Sequence, residues 1–101
     1  MNFILAVFIF SGIYGKIQGV VKDEESGEPI AYADVVLLNT EIGTATDDNG
    51  NFYILNVPPG KYVVEVSCLG YQAKRIENVL VEIDQTVRLK ISLKQTAIEI
   101  A

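Results

Sequence analysis

The densest group of potential ligands is Asp47-Asp48-Asn49-Gly50-Asn51. Oxygen-rich runs closed by a glycine hold calcium when a fixed loop spacing is kept. With Gly50 at the sixth loop position, the first position is Ala45 and the twelfth is Asn56, so the bidentate glutamate is missing. The run reads instead as a tight hairpin turn, with Asp47 capping backbone amides and Gly50 at positive φ. A second acidic group, Asp23, Glu24, Glu25 and Glu28, lies among turn residues. General acid–base work needs carboxyls in a pocket that perturbs them, whereas a solvated turn leaves them ordinary, and the solvated reading is adopted. Cys68 is the single thiol. A nucleophilic cysteine needs a histidine or a helix N-terminus to hold its thiolate, and the chain has no histidine. Alternation puts Cys68 on the Val64/Val66 face, which predicts a buried, inert thiol.

Binding chemistry is left. Tyr53, Tyr62 and Tyr71 are the aromatic candidates. Tyr62 shares the Val64/Val66 face and reads as core with its hydroxyl at the rim, Tyr71 as a corner residue, and Tyr53 as the exposed ring. Lys61, Lys74, Arg75, Arg88, Lys90 and Lys94 are available to an acidic partner or to lipid head groups, although scattered strand charges commonly form a solvated face. The contact surface is expected at an edge strand or at the face of Arg88, Lys90 and Lys94, with Tyr53 as its exposed ring.

These side chains need a scaffold, and the scaffold reads as β. The chain has 101 residues, 50% of them hydrophobic, with net charge −5, which suits one ordered domain. An acidic chain without a basic cluster is a poor match for nucleic acid. Period-two patterns recur: Ile17, Gly19 and Val21; Ala33, Val35 and Leu37; Phe52 and Ile54; Tyr62, Val64, Val66 and Cys68; then Val87, Leu89, Ile91 and Leu93 against Arg88, Lys90, Ser92 and Lys94. Gln72 to Ile76 and Val79 to Ile83 are two further stretches. Punctuation comes from Asp23 to Pro29, from Asp47 to Gly50, from Pro58-Pro59-Gly60 and from Gly70-Tyr71. Asp47, Gly50, Pro59, Gly60 and Gly70 are therefore the expected structural turn residues. Seven short strands at near-regular spacing predict an antiparallel β-sandwich with no cofactor.

The N-terminus differs from the rest. Phe3 to Phe10 is apolar throughout, too short to span a bilayer as a helix and suited to the core of an export signal. Against this stand an n-region without Lys or Arg and Ile13 at the −3 position of a cut after Gly15. The competing reading is a buried first strand. The division expected is a signal peptide over 1–15, a β-sandwich over 16–94 and the start of a linker over 95–101. No cysteine near Gly15 supports a lipid anchor, and no segment reads as a membrane-spanning helix.

From Gly43 to Tyr71 the chain runs GTATDDNGNFYILNVPPGKYVVEVSCLGY. Gly43, Thr46, Asp47, Gly50 and Phe52, then Pro59, Gly60 and Tyr62, then Gly70 and Tyr71, form an ordered set. Upstream, Ile17, Gly19, Val21, Asp23, Gly27, Pro29, Ala33 and Val35 extend it. The set resembles the carboxypeptidase regulatory-like domain family. The resemblance implies a seven-stranded, prealbumin-like Greek-key sandwich and a non-catalytic accessory role, commonly at the periplasmic N-terminus of TonB-dependent outer-membrane receptors engaged in nutrient uptake. Its implied partner is a periplasmic protein or the rest of a receptor chain. An alternative is a secreted scaffold or carbohydrate-facing module of a peptidase or cell-surface protein. A hydrolase of transthyretin-like fold is disfavoured, since that resemblance implies site histidines that this chain lacks.

Overall fold

Val87, Leu89, Ile91 and Leu93 alternate with polar residues, and the chain is strand there for the reason alternation suggests: one set of side chains leaves water while the other keeps it. The computed structural model describes residues 13–97. Seven strands follow in order: β1 (Gly15–Asp23), β2 (Asp34–Leu37), β3 (Gly43–Ala45), β4 (Asn51–Val57), β5 (Gly60–Ser67), β6 (Lys74–Val81) and β7 (Thr86–Leu93). They form a three-stranded sheet ordered β4-β1-β7 and a four-stranded sheet ordered β3-β2-β5-β6. No helix occurs among the described residues. The apolar run Phe3 to Phe10 and the tail from Ile98 to Ala101 lie outside them. β1 opens at Gly15, opposite Val57, one residue ahead of Lys16, where the sequence reading starts the domain.

The sheets close on each other through their inward faces. Ile17, Val21, Phe52, Ile54, Val57, Ile91 and Leu93 of the smaller sheet meet Val35, Leu37, Val64, Val66, Val79 and Val81 of the larger one. Ile30 and Ala33, on the β1–β2 connection, are buried in the same core. Full burial of a Val, Leu, Ile or Phe side chain is worth about 1.5–3 kcal/mol, so this shared layer is the main force holding the sheets together. Phe52 is the largest of the fully buried side chains.

Three features depart from the sequence reading. First, β7 runs parallel to β1, from Lys16 opposite Thr86 to Asp23 opposite Leu93, while the other ladders are antiparallel. Alternation fixes which face is wet but not which way a neighbour runs. The Glu82–Gln85 turn returns the chain to the end where β1 begins. There the Asp84 amide donates to the Tyr14 carbonyl at 2.9 Å and the Lys16 amide to the Gln85 carbonyl at 3.0 Å, so β7 starts beside the start of β1.

Second, Gln72 to Ile76 and Val79 to Ile83 do not form separate strands. Most of both lies in β6, which crosses the polar break between them with a bulge. Tyr62 faces Val79 and Val64 faces Ile76, leaving one residue extra on β6, and Asn78 takes φ 59° there. β4 has the same device opposite Gly15 and Ile17, with Asn56 at φ 56°. Asparagine tolerates this left-handed conformation better than most residues, so it sits naturally at a bulge.

Third, Asp47 to Gly50 is a tight turn but not a hairpin between paired strands. β3 pairs with β2 and β4 with β1, so the turn carries the chain from one sheet to the other. Asp47 Oδ1 accepts the amides of Asn49 and Asn51, each at 2.9 Å, and the Gly50 amide returns to the Asp47 carbonyl at 3.0 Å. Gly50 has φ 78° and accepts the Val21 amide at 2.8 Å. Just before the turn, buried Thr46 bridges to the β1–β2 connection: its Oγ1 accepts the Ala33 amide at 2.8 Å and donates to the Ile30 carbonyl at 2.7 Å.

Two substitutions test this corner. Gly27 also has positive φ, 74°, but a Cβ there meets nothing within 4 Å, whereas at Gly50 it would lie 2.6 Å from the Val21 oxygen and 2.9 Å from the Pro29 Cβ. Gly27→Ala is expected to cost about 1 kcal/mol and Gly50→Ala about 3 kcal/mol, read by urea unfolding. Equal costs would show that the turn does not sit against β1. Thr46→Val keeps the volume and strands the Ala33 amide, an expected loss of about 1–3 kcal/mol in the same assay.

Candidate functional site

Among the described residues no cluster of three or more His, Cys, Asp or Glu side chains is placed to hold a metal. Cys68, just past the end of β5, is half-buried against the core. Asp47 spends its Oδ1 on the turn amides. Asp48 accepts the Tyr32 hydroxyl, and that hydrogen bond, with the charge of Asp48, raises the Tyr32 phenol above its ordinary value. Tyr62 is half-buried and donates from its hydroxyl to the Pro58 carbonyl at 2.6 Å. Pro59 is exposed between β4 and β5, Gly60 opens β5, and Gly70 lies on the β5–β6 connection, where its carbonyl accepts the Thr96 amide at 2.9 Å.

The acidic turn requires a correction at one residue. Glu24, Glu25 and Glu28 are exposed, but Asp23 is only 5% exposed. It continues the inward parity of Ile17 and Val21, so the strand carries it under the loops. Its Oδ1 accepts the amides of Glu25 at 2.8 Å and Ser26 at 3.0 Å. Its Oδ2 accepts the Tyr71 hydroxyl and Gln95 Nε2, both at 2.7 Å. The Ser26 amide, then the Tyr71 hydroxyl, then the Gln95 amide hold this carboxyl well below the usual carboxylate range, against the opposing effect of burial. Tyr71 is shifted the other way, chiefly because its proton is held by Asp23. Four donors occupy the carboxylate, so it has no free position at which to accept a proton from a substrate. It acts as a tie: the end of β1, the β5–β6 connection and the chain after β7 meet on one ion. The Gln72 amide, bonded to the Lys94 carbonyl at 2.8 Å, closes the same corner. Inward alternation through Asp23 was the sequence signal for this site. Tyr71, 48 residues away, reads in the sequence only as a corner residue, and Gln95, 72 residues away, gives no signal.

The outer face of the β4-β1-β7 sheet is the other feature of note. Register places Tyr53 and Arg88 on either side of Gln18, and Asn51 and Lys90 on either side of Val20. Lys16 stands beside Thr86 and Lys22 beside Ser92. Four of the chain's eight cations, Lys16, Lys22, Arg88 and Lys90, therefore share a face whose strand positions carry no carboxylate. A shallow depression runs across it, lined by Gln18, Val20, Tyr53, Arg88 and Lys90 among others, and Tyr53 is 54% exposed. Lys94 lies just past the end of β7, lining a separate hollow with Lys74 and Glu24. The larger sheet is mixed in sign: Arg75 Nε pairs with Glu65 Oε2 at 2.9 Å, the one ion pair among the described residues. The structure thus brings Tyr53, Arg88 and Lys90 together and sets Lys94 apart. Gln18, the residue between them, had no signal of its own in the sequence.

The pH dependence of stability tests the tie. Since the folded carboxyl is held below its unfolded value, near 3.9, Asp23 stabilises the fold fully above that value and loses the contribution as pH falls through the range below it. Asp23→Asn is expected to be destabilised relative to the parent at pH 7 and less so at pH 3, measured by urea unfolding at both. A pH-independent difference would contradict the ionised tie.

The fold agrees with what known proteins show. A stretch of the SusC TonB-dependent receptor of Bacteroides thetaiotaomicron is 43% identical over 60 residues, which is 59% of this chain and 6% of the receptor; the chain thus matches a small part of that relative's length. Among solved structures, a type II cohesin–X-dockerin complex of Acetivibrio cellulolyticus is similar with TM-score 0.70 and 23% identity, covering 80% of this chain and 58% of the other. The minor pilin GBS52 of Streptococcus agalactiae is similar with TM-score 0.60 and 18% identity, covering 90% and 48%. At these identities the structural likeness supports the β-sandwich fold alone. The model of the carboxypeptidase regulatory-like domain matches residues 16–94. With its two-sheet sandwich, the chain belongs to the carboxypeptidase regulatory-like domain family.

Proposed function

We propose that the chain is a non-catalytic interaction module of a TonB-dependent outer-membrane receptor, working on the periplasmic side during nutrient uptake. The observation that carries this reading is the 43% identity to a TonB-dependent receptor, set within a family match over residues 16–94. The chemistry is in keeping with it. Among the described residues the one buried carboxylate is saturated by donors, the thiol packs on the core, and the inward side chains of the two sheets form one apolar cluster. The apolar run Phe3 to Phe10 suits export to that compartment. Such a domain acts by contact, and the contact surface in this reading is the Tyr53, Arg88 and Lys90 face, without Lys94.

The test is the gene beyond the codon for Ala101. Continuation into a plug and a membrane β-barrel is the expected result. A stop codon or a peptidase domain there would remove the receptor reading and favour a secreted scaffold.

A further inference from the structure

The outer face of the three-stranded sheet is cationic although the chain as a whole carries net charge −5. Random placement of charge would put acids there, because Asp and Glu total 13 against eight Lys and Arg. Instead the outward strand positions are Lys16, Gln18, Val20 and Lys22 on β1, Asn51, Tyr53 and Leu55 on β4, and Thr86, Arg88, Lys90 and Ser92 on β7. The cations lack ion-pair partners among the described residues. Mutual repulsion between unpaired cations on one small face favours an anion brought from outside.

The layout narrows the anion. Arg88 and Lys90 are alternate residues of one strand, so they stand about 7 Å apart along it. An extended peptide presents its own alternate side chains at that same interval. Tyr53 and Arg88 lie two strands apart across Gln18, a separation of about 10 Å, which admits a single extended chain between them. The floor supplies an amide at Gln18 and an apolar patch at Val20, and Tyr53 supplies a ring wall. Arg88 offers paired N–H donors suited to a carboxylate, while Lys90 offers a point charge.

We propose that this groove docks an extended acidic peptide segment of a partner protein, with carboxylates on alternate residues meeting Arg88 and Lys90 and an intervening backbone lying against Tyr53. The inference rests on the reading of the chain as an interaction module and adds the chemistry of its partner.

The experiment uses the full chain and two fluorescein-labelled peptides of about ten residues. One carries Glu at every second position, separated by Thr. The other has the same composition with its Glu residues in one block. Anisotropy at low salt is expected to show the alternating peptide binding about tenfold more tightly than the block isomer, and weakening as salt rises. Arg88→Glu with Lys90→Glu is expected to lower that affinity about tenfold or more, and Tyr53→Ala about threefold. Lys61→Glu, on the other sheet, leaves it unchanged. Circular dichroism of each variant confirms the fold. Equal binding of the two peptides would reduce the face to unspecific attraction and overturn the proposal. So would insensitivity to Tyr53→Ala, self-association of the chain that excludes the peptide, or binding to phosphatidylglycerol–phosphatidylcholine vesicles without binding to the peptide. If the gene continues into a plug and barrel yet neither peptide binds, this inference falls alone. If the peptide binds and the gene does not so continue, the receptor reading falls alone.

Discussion

β1 is the strand on which the rest of the sandwich depends. It lies at the centre of the smaller sheet and bonds on both sides: the Val21 amide reaches the Gly50 carbonyl at the β4 side, and the Lys16 amide reaches the Gln85 carbonyl at the β7 side. Its inward residues, Ile17 and Val21, are fully buried, and the same parity ends on Asp23. Its outward residues set the spacing of the exposed face, because Gln18 aligns Tyr53 with Arg88 and Val20 aligns Asn51 with Lys90. A slip of one residue would bury Lys16, Gln18 and Lys22 and expose Ile17 and Val21, so register, core and outer face are fixed together.

Buried charge usually needs an explanation, and here the explanation is architectural. Asp23 sits where three chain segments meet at the end of the β1–β7 ladder, which its own pairing with Leu93 closes. A carboxylate can accept from backbone amides and side-chain donors arriving from different directions, which an apolar residue cannot do. No buried side-chain nitrogen or oxygen among the described residues lacks a partner. The loops at this end are thereby anchored by directed bonds, while the strands are held by undirected apolar contact.

Which residues are inside was legible locally. Alternation placed Ile17, Val21, Val35, Leu37, Phe52, Ile54, Val64, Val66, Ile91 and Leu93 on inward faces, and all are buried, while Tyr62, Cys68, Val87 and Leu89 on the same faces are only half-buried. Tyr53 was legible as the exposed ring by the same rule. What was hidden is what depends on distant chain. The parallel course of β7 follows from the route of the Glu82–Gln85 turn, and the two bulges from asparagines that also suit ordinary loops. The depression between Tyr53 and Arg88 exists because β1 separates them, and no pattern within β4 or β7 indicates that. The burial of Asp23 was masked by its neighbours Glu24 and Glu25, whose exposure made the whole segment read as solvated.

A central strand bonded on both sides opens only when the sheet itself comes apart. Amide hydrogen exchange, followed residue by residue in the native chain, measures that directly. The amides of Ile17 to Val21 are expected to exchange only through global unfolding, as slowly as the slowest in β5 and far more slowly than those of the three-residue strand β3. Exchange of the β1 amides while β5 remains protected would show that the sandwich does not hang on β1, and with it the shared origin of core, tie and outer face would be lost.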